Sequence, residues 1–194
     1  MSTRSLTLAE ARRRVSQVDA PSYNVHLDLT DPATGTFGSR STVRFTPGAE
    51  STFLELADAA ELRVVVDGTT VPAAYDAGRI ALGGLTPGVV TQVTVEARLP
   101  YVTHGDGMHI FTDPADGETY VSAYCGMDIA HRVFACFDQN DLKGPIALTV
   151  TADPAWTVLG NGRPTTDGHG HWELTSTPPV PVALFVVQRS GGLQ

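Results

Sequence analysis

The sequence predicts a mainly β domain of twisted antiparallel sheets, and three observations predict it. Apolar and polar residues alternate with a period of two through Tyr23-Asn24-Val25-His26-Leu27-Asp28-Leu29, and Phe37, Val43 and Phe45 continue the odd-numbered apolar face. Short β-rich runs then recur every eight to twelve residues or so, the spacing of a sandwich or a barrel-like sheet. Between them stand turn formers: Asp67-Gly68, Gly83-Gly84, Pro87-Gly88, Asn161-Gly162 and Asp167-Gly168.

In chain order, a helix of about ten residues comes first. Thr7 and Glu10 have the spacing of a capping box, and Arg12, Arg13 and Arg14 favour the negative end of the helix dipole. The expected strands after 23–29 and 37–45 are 52–56, 62–66, 79–82, 90–99, 119–124, 146–151, 156–159, 171–175 and 182–188. Residues 117–143 break the alternation and read as an irregular loop followed by a short helix near 127–135. No repeat, low-complexity tract or linker divides the chain. It reads as one domain over 1–194, with 1–18 a helical arm and 117–143 the segment that carries information.

Composition narrows the function classes. The 194 residues hold 13 Lys+Arg against 21 Asp+Glu, a net charge of −8 that lacks the clustered basic residues of a nucleic-acid footprint. No apolar run reaches the roughly 18 to 20 residues that cross a bilayer. The N-terminus has basic residues without the apolar stretch of about 7 to 15 residues that marks a secretory signal. Two Cys leave free thiols and a cytoplasmic protein as the expectation. The Ala/Val/Gly/Asp/Arg-rich usage is reminiscent of a high-GC actinobacterium.

Within 117–143, the run Ala130-His131-Arg132-Val133-Phe134-Ala135-Cys136-Phe137-Asp138-Gln139-Asn140-Asp141-Leu142-Lys143 resembles the A-R-x-x-F-P-C-x-D-x-P-x-x-K signature of M1-family zinc aminopeptidases. Ser22 through Leu29 is similar to that family's S-Y-D-L-x-L-D-L strand, and Gly107-Met108-His109-Ile110-Phe111 to its G-M-x-x-F segment. Trp156 through Gly162 and Trp172 through Pro179 resemble its W-x-x-x-S-N and W-x-F-x-x-T-P-P strands. The resemblance implies the family's N-terminal domain, a saddle of antiparallel sheets. The family's zinc motif H-E-x-x-H and its G-x-M-E-N loop occur nowhere in the 194 residues, so zinc-dependent hydrolysis is not expected of this polypeptide alone.

The resemblance also implies a substrate-facing loop just before the signature. Tyr124 stands where the family has Gln and Gly126 where it has Glu, removing the carboxylate that would hold an α-ammonium group. The family's Arg falls on His131 or Arg132, depending on register, and its Pro residues on Ala135 and Asn140. Scaffold residues persist while substrate residues change, which suggests repurposing. The expectation is a stand-alone domain acting, as an enzyme or enzyme subunit, on an amine- or amino-acid-derived ligand by metal-free chemistry. Tyr124, Asp128 and His131 are the candidate catalytic residues; Tyr124, Cys125, Gly126, Met127 and His109 are the candidate substrate contacts. A partner protein would cover the cleft, and no cofactor, metal, nucleic acid or membrane is expected. A non-catalytic binding module, or the detached half of a split aminopeptidase, is the other reading.

Several residues carry two readings at this stage. His169 and His171 could present two imidazoles at a hairpin tip, yet no third ligand adjoins them. Cys125 and Cys136 are either buried thiols or, for Cys125, a nucleophile activated by His131. Asp138 is read as a brace or cap for the short helix, Arg132 as a brace pairing with a carboxylate, and His104, beside the G-M-x-x-F segment, as a further candidate for a functional role.

Overall fold

The structure, a computed structural model, describes residues 5–184 and 187–190. Helix α1 (Leu8–Val15) leads into strands β1 (Val18–Asp28), β2 (Thr36–Pro47) and β3 (Ser51–Glu55). Next come β4 (Ala60–Val66), β5 (Thr69–Val71), β6 (Ala74–Asp76), β7 (Arg79–Gly83) and β8 (Thr91–Pro100). The second half holds β9 (Gly107–Thr112), β10 (Thr119–Tyr124), β11 (Ile146–Thr151), β12 (Thr157–Gly160), β13 (Pro164–Thr166), β14 (His171–Leu174) and β15 (Val187–Ser190).

The strands form three open sheets. The largest has eight strands in the order β13-β14-β11-β1-β2-β8-β4-β5; the others are β12-β15-β10-β9 and β3-β7-β6. Among the described residues these strands pair antiparallel except β1 with β11, where Tyr23 pairs with Ile146 and Asp28 with Thr151. That parallel pair lies mid-sheet, and its strands are joined by more than a hundred residues of chain, the long connection parallel pairing requires.

The alternation has the expected consequence. Tyr23, Val25, Leu27 and Leu29 are buried, and so are Phe37, Val43 and Phe45 on the adjacent strand. All belong to one apolar cluster that reaches through the three sheets. Helix α1 carries the expected capping box: Thr7 accepts from the Glu10 amide and Glu10 reaches back to the Thr7 amide.

Two expected elements differ. The short helix near 127–135 is a single 3-10 turn, Ala130–Arg132. The strand expected at 182–188 starts as a 3-10 turn, Val182–Leu184, with residues 185–186 outside the described residues. Among the described residues no helix is long and apolar enough to cross a membrane.

Candidate functional site

The segment after β10 is mostly core. Val133, Phe134, Ala135, Cys136 and Phe137 are consecutive and all at most 1% exposed, which is why they show no period. An extended strand on a sheet would turn alternate residues outward; this irregular run is enclosed on all sides instead. Phe134 meets the Tyr23 ring edge-on at 6.2 Å, and Phe137 meets Phe45 at 5.0 Å. The backbone is satisfied by other elements: Cys136 and Glu55 exchange both amide bonds, Ala57 N donates to the His131 carbonyl, and the Ser39 hydroxyl donates to the Val133 carbonyl.

Polar side chains fix this plug from one side. Arg14, buried at 1%, donates to Glu55 at 2.6 Å and to the Gln139 side-chain oxygen at 3.0 Å. Its guanidinium lies 4.6 Å from the Phe53 ring centroid and 5.9 Å from that of Phe137. Glu55 also accepts from the Asp138 amide, and Gln139 donates back to the Ala11 carbonyl in α1. Asp138 accepts from both the amide and the Nδ1 of His131, the latter at 2.6 Å. Burial pushes the Glu55 carboxyl upward, with Arg14 opposing the shift. Helix α1 is therefore more than a surface arm: through Arg14 and Gln139 it is tied to the segment that bears the signature.

Between β10 and this plug, residues 124–128 come to the surface. Tyr124 is 59% and Met127 is 77% exposed. Asp128 is exposed at φ +63°, a left-handed conformation that Asp tolerates better than most side chains. The Tyr124 phenol folds over Gly126: a Cβ placed on residue 126 would stand 2.5 Å from the Tyr124 hydroxyl. Glycine at 126 thus does two things, removing a carboxylate and making room for the phenol. The register of β9 and β10 pairs His109 with Ser122 and Phe111 with Tyr120, so these four and Tyr124 share the face away from the buried Met108, Val121 and Ala123. Phe111 on that face is 49% exposed.

The expected site residues therefore separate into two layers. Tyr124, Gly126, Met127, Asp128 and the half-buried His109 lie at or near one surface. Cys125 and His131 lie beneath it, 1% and 3% exposed. Cys125 is no nucleophile in this state, because burial, with a smaller push from Asp138, raises its thiol well above the ordinary range, and His131 is already engaged by Asp138. Nor can Cys125 touch a ligand at the surface. Cys136 is likewise a buried free thiol, pushed upward by burial.

Asp138 braces the 3-10 turn as expected. Among the described residues Arg132 pairs with no carboxylate: its Nε is buried without a hydrogen-bond partner and its side chain packs against Gly107, which has a φ of +99°. His104 is exposed in the loop before β9. His169 and His171 sit on an exposed hairpin whose amides are held by Asp167; His171 stacks on His26 at 6.3 Å, and among the described residues no third ligand joins them. Sequence reasoning missed Arg14 and Glu55 entirely. One Arg among three consecutive Arg residues gave no sign of burial.

One group among the described residues has the makings of a metal centre: Asp128, His131 and Asp138, with one ligand-capable atom from each within 4.8 Å of the others.

No family model matches the chain. It is 36% identical over 181 residues to the aminopeptidase N of Streptomyces lividans, a match that takes in 91% of this chain and 21% of that protein. The fold superimposes on native leukotriene A4 hydrolase of Saccharomyces cerevisiae with a TM-score of 0.73 at 13% identity, covering 95% of this chain and 33% of the enzyme. The chain thus spans about a fifth of the one relative and a third of the other. Sequence and fold together make this an N-terminal β-domain of the M1 aminopeptidase type.

Proposed function

We propose that this M1-type N-terminal domain forms one wall of a cleft for an amine- or amino-acid-derived small molecule, and that a partner protein supplies the other wall. The two together act as a small-molecule enzyme in the cytoplasm, by a route other than the H-E-x-x-H zinc hydrolysis of the family. The observation that carries this reading is the surface at the end of β10. There Tyr124 and Met127, two large and mainly apolar side chains three residues apart, stand 59% and 77% exposed, and Phe111, 49% exposed, lies further along the same face of the β9–β10 hairpin. Solvent-facing apolar groups gathered in one place favour a covering partner or a ligand.

The chemistry available on this wall is modest and specific. The Tyr124 hydroxyl can donate to or accept from a ligand, and the Asp128 carboxylate can pair with an ammonium group that Gly126 no longer meets. His131 cannot reach a ligand directly from its buried place; its role is to hold the loop through Asp138. The Streptomyces relative and the residue usage support an actinobacterial setting.

The test is to isolate the protein at native expression and compare it with Met127→Glu. Because Met127 is exposed, the variant should fold normally yet lose its partner and the activity of the complex. A lone monomer that handles ligand equally well with and without the Met127→Glu substitution would overturn the reading. Chelator-sensitive cleavage of aminoacyl substrates by the complex, persisting in Asp128→Asn, would point instead to the detached half of a split aminopeptidase.

A further inference from the structure

We propose that Arg132 binds the carboxylate of the small molecule on this wall, so that the ligand is an amino acid with its carboxylate free. An amide, an ester or the N-terminus of a peptide lacks that group. The proposal rests on the preceding reading of the wall as a ligand surface and names the ligand's second charged group.

The placement comes from the strand register. Gly107 pairs with Tyr124 across β9 and β10, and paired residues point to the same side of a sheet. A Cβ on Gly107 would therefore point to the Tyr124 side. There it would stand 2.9 Å from the Cβ of Arg132, 3.8 Å from its Cγ and 3.5 Å from its Cδ. The Arg132 stem thus lies along the glycine, on the side that presents Tyr124, and the glycine makes room for it. The turn beneath is rigid. The Arg132 amide donates to the Ile129 carbonyl, and the buried neighbours His131 and Val133 accept from the Ala57 amide and the Ser39 hydroxyl.

The second observation is independent of this placement: the charge has no counterpart. Arg132 is half-buried, its Nε fully so, and among the described residues its guanidinium makes no hydrogen bond or ion pair. The positions outside the described residues hold no Asp or Glu. Other arginines drawn out of solvent are matched, Arg14 by Glu55 and Arg79 by Glu10. A cation that has lost part of its hydration is normally compensated by an anion. Nε alone of the three guanidinium nitrogens is shut off, which leaves the terminal pair as the fork that a carboxylate meets with two parallel hydrogen bonds.

The anion is a ligand's rather than a partner's. Tyr124 and Met127 stand 59% and 77% exposed, so a protein surface resting on them meets the half-buried guanidinium last. A small carboxylate can pass between. Asp128, four residues earlier, is exposed and makes no ion pair with Arg132, so the same turn keeps a negative group for an amine and a positive one for an acid.

The experiment adds L-phenylalanine, L-phenylalaninamide or acetate to the isotope-labelled full chain and follows the Arg132 Nε–H signal and the amides of 124–128 by NMR. L-Phenylalanine should bind saturably. The amide, which lacks the acid, and acetate, which lacks the amine, should each bind about tenfold or more weakly. Arg132→Gln should weaken L-phenylalanine by a similar factor without lowering the urea midpoint, because it removes an unpaired charge; a structural brace would lower that midpoint. Amide binding as tight as the acid's would overturn the proposal and leave the wall reading standing. Acetate binding as tight as the amino acid's would leave only a general anion site, and overturn it too. So would Arg132→Gln that keeps L-phenylalanine binding but loses the partner, since the guanidinium would then face the partner. Absence of saturable binding by any of the three would also overturn it, and the wall reading would still be judged separately by Met127→Glu.

Discussion

Replacing Arg14 with Met would cut the buried cation out of the polar cluster beneath the signature segment. In the parent, Arg14 is 1% exposed and Glu55 5%, and they are 2.6 Å apart. After the replacement Glu55 keeps one donor, the Asp138 amide at 3.2 Å, and stays buried. Breaking a buried pair by removing one partner costs about 3–5 kcal/mol, against a total stability of about 5–15 kcal/mol for a domain. For a chain of this size that is a fall in Tm of roughly 6–20 °C.

The cost should also depend on pH. Burial raises the folded-state pKa of Glu55, and Arg14 holds that rise in check. A carboxyl whose folded pKa is raised binds its proton more tightly in the native state. Its contribution is fully present below the unfolded pKa and is lost as pH rises through the folded one. Without Arg14 the folded pKa climbs further, so the deficit against the parent is largest near neutrality and shrinks towards the carboxylate range. Urea unfolding followed by tryptophan fluorescence, with the buried Trp172 as reporter, gives both numbers. Arg14→Met/Glu55→Gln should recover much of the loss, since the amide still accepts from Asp138 without a stranded charge. A single-variant cost under about 1 kcal/mol, the value of an exposed pair, would refute this reasoning. So would a double variant no more stable than Arg14→Met.

Three further outcomes follow from the same geometry. Gly126→Ala should push the exposed Tyr124 ring off its seat while changing stability by no more than about 0.5 kcal/mol, so ligand or partner affinity falls with the unfolding curve almost unmoved. Gly107→Ala places a Cβ 2.9 Å from that of Arg132 at a φ of +99°, and should cost about 1–3 kcal/mol in urea unfolding. Cys125 and Cys136 should react with a thiol reagent only after denaturation; rapid native-state labelling of either would show that the segment opens.

Where the chain alternates, the fold could be read directly. Tyr23, Val25, Leu27, Leu29, Phe37, Val43 and Phe45 are buried as their spacing demanded, and the Thr7–Glu10 cap is formed. Those features are local, and local chemistry decides them. The pairing of β1 with β11 is not local, and no residue in either strand announces its direction. The signature segment shows the same limit. Its first part reads from sequence as a short helix near 127–135, yet beyond the turn at 130–132 residues 133–137 are an irregular core run, because a run enclosed on every side has no period to read. The site was legible in part: Tyr124, Met127 and Asp128 are at the surface, whereas His131 and Cys125 are turned inward by the 3-10 turn and by β10. Arg14 could not have been found from sequence, since its value lies in Glu55 and Gln139, far along the chain.

The most direct test of the account is hydrogen exchange on the protein with its proposed partner compared with the isolated protein. The account predicts slowed exchange in 107–112 and 119–128, with β5 and β13 unchanged at the far edges of the large sheet. Protection confined to those edges, or a complex in which 119–128 exchange as they do alone, would contradict it.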